Sequence, residues 1–450
     1  MAKAESIYDV FKVQGQPTIT YVRRNEGLYE DKLAAAIKNL GTLCLITGPS
    51  KTGKSTLYAK VAEFNDYDIL RLRCDKSLTS QEVWRKTLET INFERVETII
   101  KEKKTGRKLG VEIEGRIGWS WLAGILGKGK VESNVEKSEA ESRNRILSDP
   151  SPSHLIPLLK ELPFLLVFED FHYLDPKVQE CVFQQWKVFV DNEVSVVVLG
   201  TTHHAADLAY ANKDLIGRIV HVDLPTWNVD DLEKITRQGF NYLDVEITSP
   251  LTRLIAKESV GLPIITQSVS LQMLIDKKQY NIESLDRKIR FNNEDVCNSL
   301  HEVAVEKYGQ FSTLHDALIK GPRKRVRKYE TYEVILAAFT KDPLVFSLSR
   351  DELDERIVKL LPEDRVPPRA SVDSTLDALK NFQQRLGFTL LEWQEKLRKL
   401  YIIEPSFLFY LRWRQKRTAV PQWKDIFEIL SKDLKELTKF STITLKKNLP

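Results

Sequence analysis

Gly48-Pro49-Ser50-Lys51-Thr52-Gly53-Lys54-Ser55-Thr56 satisfies every fixed position of the pattern G-x-x-x-x-G-K-[ST]. That spacing has a chemical logic. Gly48 and Gly53 let the backbone curl until its N–H groups point at phosphate oxygens. Lys54 brings a point charge to the β- and γ-phosphates, and Ser55 offers a hydroxyl to Mg²⁺. A helix beginning here adds the positive end of its dipole. Thr42-Leu43-Cys44-Leu45-Ile46 before the loop reads as a buried strand, and Thr56-Leu57-Tyr58-Ala59-Lys60-Val61-Ala62 after it reads as a helix. The ligand this predicts is ATP or ADP with Mg²⁺, held by residues 48–56.

Hydrolysis needs a carboxylate at the tip of a second buried strand, to hold the metal side and orient the attacking water. Phe164-Leu165-Leu166-Val167-Phe168 is such a strand, and Glu169-Asp170 ends it. Glu169 reads as the metal-side acid, beside Ser55, and Asp170 as the water-orienting one. A third strand, Val194–Gly200, ends in Thr201-Thr202-His203-His204. A polar side chain there reaches a γ-phosphate; Thr201, Thr202 and His203 are the alternatives, with Thr202 at the centre. Arg218 precedes the apolar run Ile219-Val220-His221-Val222. It is placed either to serve a neighbouring copy's ATP, stabilising charge on the transferring phosphoryl group, or to form an ordinary surface ion pair.

These groups require a parallel sheet. With Asp68–Arg73 added, five strand-like runs are separated by helical patterns, which predicts an α/β, parallel-sheet P-loop core. The 450 residues allow two or three domains, and 42% hydrophobic with 29% charged residues is ordinary globular composition. No apolar run reaches the ~18–20 residues of a membrane span. Cys44, Cys74, Cys181 and Cys297 form no C-x-x-C pair and read as reduced thiols of a cytoplasmic protein. A net charge of +5 permits nucleic-acid contact without demanding it.

The order of motifs resembles AAA+ and STAND-type ATPases, and is similar to the origin-recognition initiator branch. The matching landmarks are Gly48–Ser55, Glu169-Asp170, Thr201–His204, Gly217-Arg218 and, further on, Gly261-Leu262-Pro263. The resemblance implies a helical lid carrying the G-x-P, with Pro263 near the adenine. It also implies that the segment Thr18–Arg24, with Tyr21 and Arg23, lines the base pocket. Initiators usually place an arginine just after the matching glycine. Ile264-Ile265-Thr266-Gln267 follows here, which favours the STAND-like side. The boundaries implied are an N-terminal pocket-lining segment 1–28, a core 29–226 with an insert at about 96–148, a lid and linker 227–322, a winged-helix domain 323–416 and an amphipathic tail 417–450.

The lid is expected to open at Val229 with Asn228 as its cap. In the C-terminal region three helical patterns, one opened by the capping box Ser349-Arg350-Asp351-Glu352, precede two strand-like runs, Thr389–Trp393 and Leu400–Glu404. On the third helix Lys380, Gln383, Gln384 and Arg385 are placed to enter a DNA groove. Asp373 and Asp377 on the same helix oppose that, and a protein-interaction or autoinhibitory domain is the alternative. Two further basic clusters, Arg323–Lys328 and Arg412–Arg417, read as a solvated linker and a solvated helix end. The tail stripe Trp423, Ile426, Phe427, Leu430, Leu434 and Leu437 reads as packing on the chain's own core, with a partner-binding helix as the alternative.

Between the second strand and the acidic strand lie roughly 90 residues, more than a crossover helix needs. Residues 101–130 carry an excess of five positive charges and hold Trp119 and Trp121. Three readings compete: a solvated loop whose tryptophans fold onto the body, a contact surface for a partner or neighbouring copy, or a nucleic-acid binder.

Three functions follow. One is an ATP-operated switch that changes conformation, self-associates and signals to a separate effector protein, as STAND-like proteins of prokaryotic defence systems do. A second is a DNA-binding ATPase of initiator, loader or transposition-regulator type. A third is an ATP-clamped adaptor with almost no hydrolysis, left open by the Glu-Asp order where Asp-Glu is usual.

Overall fold

A β-rich run buried on both faces forms a strand only where neighbours cover both sides, and the core is built this way. The computed structural model describes residues 4–104, 117–127, 138–200, 215, 217–321 and 329–415. The chain divides into two units, residues 23–225 and residues 1–22 with 226–450.

In the first unit, strands β1 (Leu43–Thr47), β2 (Asp68–Arg73), β3 (Phe164–Glu169), β4 (Val196–Leu199) and β5 (Ile219–Asp223) form one sheet of order β2-β3-β4-β1-β5. All neighbours are parallel. This is the predicted α/β parallel-sheet P-loop core. Alternate residues serve two apolar layers. Leu43, Leu45, Leu166, Phe168, Val196 and Val198 face one, and Cys44, Ile46, Leu165, Val167, Val197 and Leu199 face the other. Parallel strands share an edge where all their C-terminal ends emerge, and ligands bind there in open α/β sheets. Thr47, Glu169 and Gly200 leave the sheet on that edge. β4 lies between β1 and β3, so Gly200 emerges between the two motifs.

The second unit is mostly helical. Helices Val229–Tyr242, Ser249–Glu258 and Pro263–Asp276, where a lid is expected, are followed by Asn293–Tyr308 and Phe311–Lys320. Asn228 caps the first, its side-chain oxygen accepting from Asp231 N at 2.7 Å. The C-terminal part holds helices Thr331–Thr340, Arg350–Leu360 and Arg369–Leu386, and an antiparallel sheet of order β6-β8-β7. The hairpin strands are β7 (Leu391–Gln394) and β8 (Lys399–Ile402). β6 (Ser347–Ser349), too short to show in the sequence pattern, pairs with β8. Ser349 forms the expected capping box with Glu352. The last helix among the described residues, Pro405–Trp413, packs Phe407 and Phe409 against Phe311 and Tyr308. One apolar cluster runs through this unit, from Ala4, Ile7 and Phe11 through helices Val229–Tyr242, Ser249–Glu258 and Pro263–Asp276 to Trp413.

Candidate functional site

The phosphate loop is a tight arch between β1 and helix Lys54–Phe64. Gly48 sits at φ 139, and a Cβ there would lie 2.2 Å from the carbonyl oxygen of Leu224. Only glycine fits such a position. Gly53, also left-handed at φ 93, is the N-cap of the helix. Thr52 Oγ1 donates to Pro49 O at 2.9 Å, bracing the arch. Lys54 folds back into it and donates to Gly48 O at 2.8 Å and Pro49 O at 2.7 Å. Burial pushes the Lys54 ammonium down to about 8, with the nearby Asp170 carboxylate opposing the shift. The cation is therefore held by two neutral carbonyls in a place that disfavours charge, and an anion would complete its coordination.

The acidic strand end meets this loop. Glu169, the last residue of β3, is 3% exposed. Its Oε1 accepts from Ser55 Oγ at 2.7 Å and from Tyr58 OH at 3.1 Å. Burial and then Glu169 push the Tyr58 phenol up to about 12, so it stays a donor. Glu169 Oε2 is buried without a hydrogen bond and faces Arg71 Nη1 and Arg73 Nη2, each at 3.7 Å. Asp170 turns out of the strand at φ 57, with Arg73 Nε 3.4 Å from its Oδ2.

A serine hydroxyl and a carboxylate 2.7 Å apart are the hard oxygen donors Mg²⁺ takes together with substrate phosphates. Ser55 and Glu169 thus fit the metal. Among the described residues no group of three or more His, Cys, Asp or Glu side chains could hold an ion without such help.

Tyr58, Arg71 and Arg73 were not among the expected site residues. Tyr58 follows Lys54 by four positions, the helical spacing that puts both on one face. The alternation of β2 places Arg71 and Arg73 on one side, and the register pairs Arg73 with Glu169. That β2 neighbours β3 is a property of strand order, which the sequence does not display.

The remaining expected residues are dispersed. Thr201, Thr202 and His203 lie outside the described residues. Arg218 is exposed, and its carbonyl accepts from Leu43 N at 2.8 Å, at the start of β1. It therefore sits at the sheet edge opposite its own phosphate loop. Arg23 is exposed and paired with Asp31 at 2.6 Å. Its neighbour Arg24 is the buried one, donating to Pro225 O at 2.7 Å and lying 4.9 Å over the Tyr29 ring. In the other unit Pro263 opens its helix. One turn on, Gln267 Nε2 donates to Thr20 Oγ1 at 2.7 Å, which brings the Thr18–Val22 segment, with Tyr21, beside the G-x-P helix.

Of the readings of the insert, the one in which its tryptophans fold onto the body is met, and two other sequence readings need correction. Trp119 stacks edge-on against Phe93 at 5.2 Å, and with Trp121 it packs on the buried cluster around Leu122. Glu139 caps this insert helix, accepting from Trp119 N at 2.7 Å. The insert's tryptophans are thus spent on the core; most of its cations lie outside the described residues, as do the Arg323–Lys328 cluster and the tail. Gln383 does not project outward. It is 1% exposed and bonds Leu390 N, Leu391 N and Leu391 O. Arg412 does not belong to a solvated helix end, being 1% exposed.

Fold and loop geometry together are those of a parallel-sheet P-loop core. No protein-family model matches the sequence, and no curated protein matches it. Among solved structures, the chain is similar to a Walker-type ATPase of Pyrococcus abyssi at 15% identity, covering 90% of this chain and 99% of that one, TM-score 0.48. It is also similar to Cdc6p of Pyrobaculum aerophilum at 13% identity, covering 96% and 99%, TM-score 0.38. The Aeropyrum pernix Orc1 protein in complex with DNA gives 12% identity, 85% and 89% coverage, and a TM-score of 0.38. Among the described residues no helix is long and apolar enough to cross a membrane.

Proposed function

We propose that this chain is an AAA+-type ATPase, binding ATP with Mg²⁺ at residues 48–56 and hydrolysing it to ADP and phosphate to operate a conformational switch. The observation that supports it most is the convergence of Lys54, Ser55, Glu169 and Asp170 at one sheet edge. Lys54 exchanges its two loop carbonyls for phosphate oxygens, and the loop N–H groups hold the rest of the phosphate charge. Ser55 and Glu169 hold Mg²⁺, which when bound supplies divalent charge against the phosphate oxygens. Tyr58 orients Glu169 by its hydrogen bond. Asp170, on its outward turn, orients water and accepts its proton. Arg218, remote from its own loop, acts on the ATP of a second copy, so self-association accompanies the ATP state. Signalling to a separate effector, in a defence setting, is the finer form of this reading and rests on the STAND-like G-x-P.

A second reading has its own support. We read the C-terminal helices and sheet as a winged helix. Lys380, Gln384 and Arg385 on its third helix, and Lys396 and Arg398 on the β7–β8 turn, are exposed. Of the two acids on that helix that would oppose DNA, Asp373 is paired with Arg350 at 2.6 Å, whereas Asp377 is exposed. That surface suits a phosphate backbone.

The test is ATP binding and turnover in the parent, Asp170→Asn and Lys54→Ala, with particle size by light scattering in ATP·Mg²⁺ and in ADP, with and without DNA duplex. Asp170→Asn should bind ATP and lose turnover, while Lys54→Ala should lose binding. Growth with ATP alone supports the switch, and growth only with DNA supports the second reading. Substantial turnover that is unchanged in Asp170→Asn would remove Asp170 from catalysis, and ATP binding with turnover near zero in both proteins would favour the ATP-clamped adaptor.

A further inference from the structure

Helix Ser249–Glu258 ends on a carboxylate withdrawn from water. Glu258 is 4% exposed and accepts three hydrogen bonds: from Arg412 Nε at 2.8 Å, Arg412 Nη2 at 2.7 Å and Trp413 Nε1 at 2.9 Å. Arg412 Nη1 donates to Thr340 O at 3.2 Å and lies 3.6 Å from Asp342 Oδ1. His301 Nδ1 meets the carbonyl oxygen of Trp413 at 2.9 Å. One guanidinium thus gathers the negative C-terminal ends of two helices, Ser249–Glu258 from the lid and Thr331–Thr340 from the C-terminal domain.

Burying an ion pair is costly, and apolar residues of similar volume often hold elements together as well. A glutamate in the last turn of its helix also opposes the helix dipole. Charges kept here against both penalties specify one geometry. A bidentate guanidinium–carboxylate pair with an indole on the same oxygen fixes distance and direction, where apolar packing alone would let helices slide.

We infer that the Glu258–Arg412–Trp413 cluster is a clasp making the lid helices and the C-terminal domain one rigid body, so that any nucleotide-linked displacement of the lid is passed whole to the C-terminal domain. The second clause rests on the proposed ATP site; the first does not. The clasp replaces a hinge between lid and C-terminal domain with a fixed joint.

The experiment uses the full chain. Cys44, Cys74 and Cys297 are buried, so Cys181→Ser leaves a background suited to labelling. Spin labels go on Gln238→Cys in the first lid helix and Val358→Cys in Arg350–Leu360, both exposed. Their distance is measured without nucleotide, with ADP and with ATP, and bound nucleotide is quantified in each sample. The expected result is one narrow distribution, unmoved by nucleotide, that broadens in Arg412→Ala and in the milder Glu258→Gln. A distance that shifts or splits with bound nucleotide while the clasp is intact overturns the inference. So does a distribution that stays narrow in a folded clasp variant. Should no nucleotide bind, the ATP reading fails, and the clasp is still judged by the nucleotide-free distribution and its broadening.

Discussion

Lys54 offers a quantitative test of how the phosphate loop works. Burial sets its ammonium at about 8, against an ordinary value of 10.5, while Asp170 pulls the other way. Nucleotide phosphates favour the charged form, so binding takes up a proton wherever the free protein has lost it. At pH 8 about half of the free sites are neutral, and at pH 9 about nine-tenths. Proton uptake should therefore rise from ~0.1 per site at pH 7 to ~0.9 at pH 9, and affinity should fall by nearly tenfold per unit above pH 8. The stability consequence follows from the same two values. Below pH 8 both folded and unfolded chains carry the proton, and the folded one bears the desolvation cost, about 3 kcal/mol. Between pH 8 and 10.5 the unfolded chain binds the proton more tightly, so this cost is relieved as pH rises. Calorimetry of ADP binding in buffers of different ionisation enthalpy reads the uptake. Lys54→Met should abolish it. The nucleotide-free Lys54→Met protein should be more stable than its parent at pH 7, by an amount that closes toward pH 10.5. No uptake at pH 8.5, or a stability gap that is flat with pH, would refute the picture of a charge held against its environment.

Other perturbations separate the remaining parts. Gly48→Ala drives a Cβ to 2.2 Å from Leu224 O and should cost about 1–3 kcal/mol, read as a lower Tm, together with loss of nucleotide binding. Arg73→Ala removes an exposed partner of Glu169 and Asp170. Its effect on stability should stay under about 1 kcal/mol, yet half-saturation by Mg²⁺ in nucleotide-binding titrations should fall, because a competing cation is gone. Trp119→Ala should destabilise by about 2 kcal/mol in denaturant unfolding and leave DNA affinity unchanged; a selective loss of DNA binding would restore the stacking role that its packing on Phe93 argues against.

The parts legible in the sequence are those written in local spacing. The phosphate loop, the runs that became β1, β3 and β4, and the caps at Asn228 and Ser349 each need only a few neighbouring residues. What stayed hidden depends on partners far along the chain. Arg412 stands in the basic stretch Arg412-Trp413-Arg414-Gln415-Lys416-Arg417, which looks solvated until Glu258 arrives from 154 positions away. Gln383 has the composition of a groove-reading residue, yet its amide satisfies the backbone at the start of β7. Arg71 and Arg73 look like the polar side of an edge strand, and only the placement of β2 against β3 aims them at Glu169.

The division of the chain has a consequence for its birth on the ribosome. Residues 23–225 are contiguous and can complete their sheet as soon as they emerge. Ile7, Val10 and Phe11, fully buried in the finished molecule, belong to the other unit, where Phe11 packs against Phe240 at 5.4 Å and Ser6 bridges to Asn281. At ordinary translation rates these side chains wait roughly 10–50 s for their partners. These residues, synthesised ahead of the whole of residues 23–225, are thus sheltered only after that unit is complete, and during that interval they are the natural target for chaperones and the natural seed for misassembly.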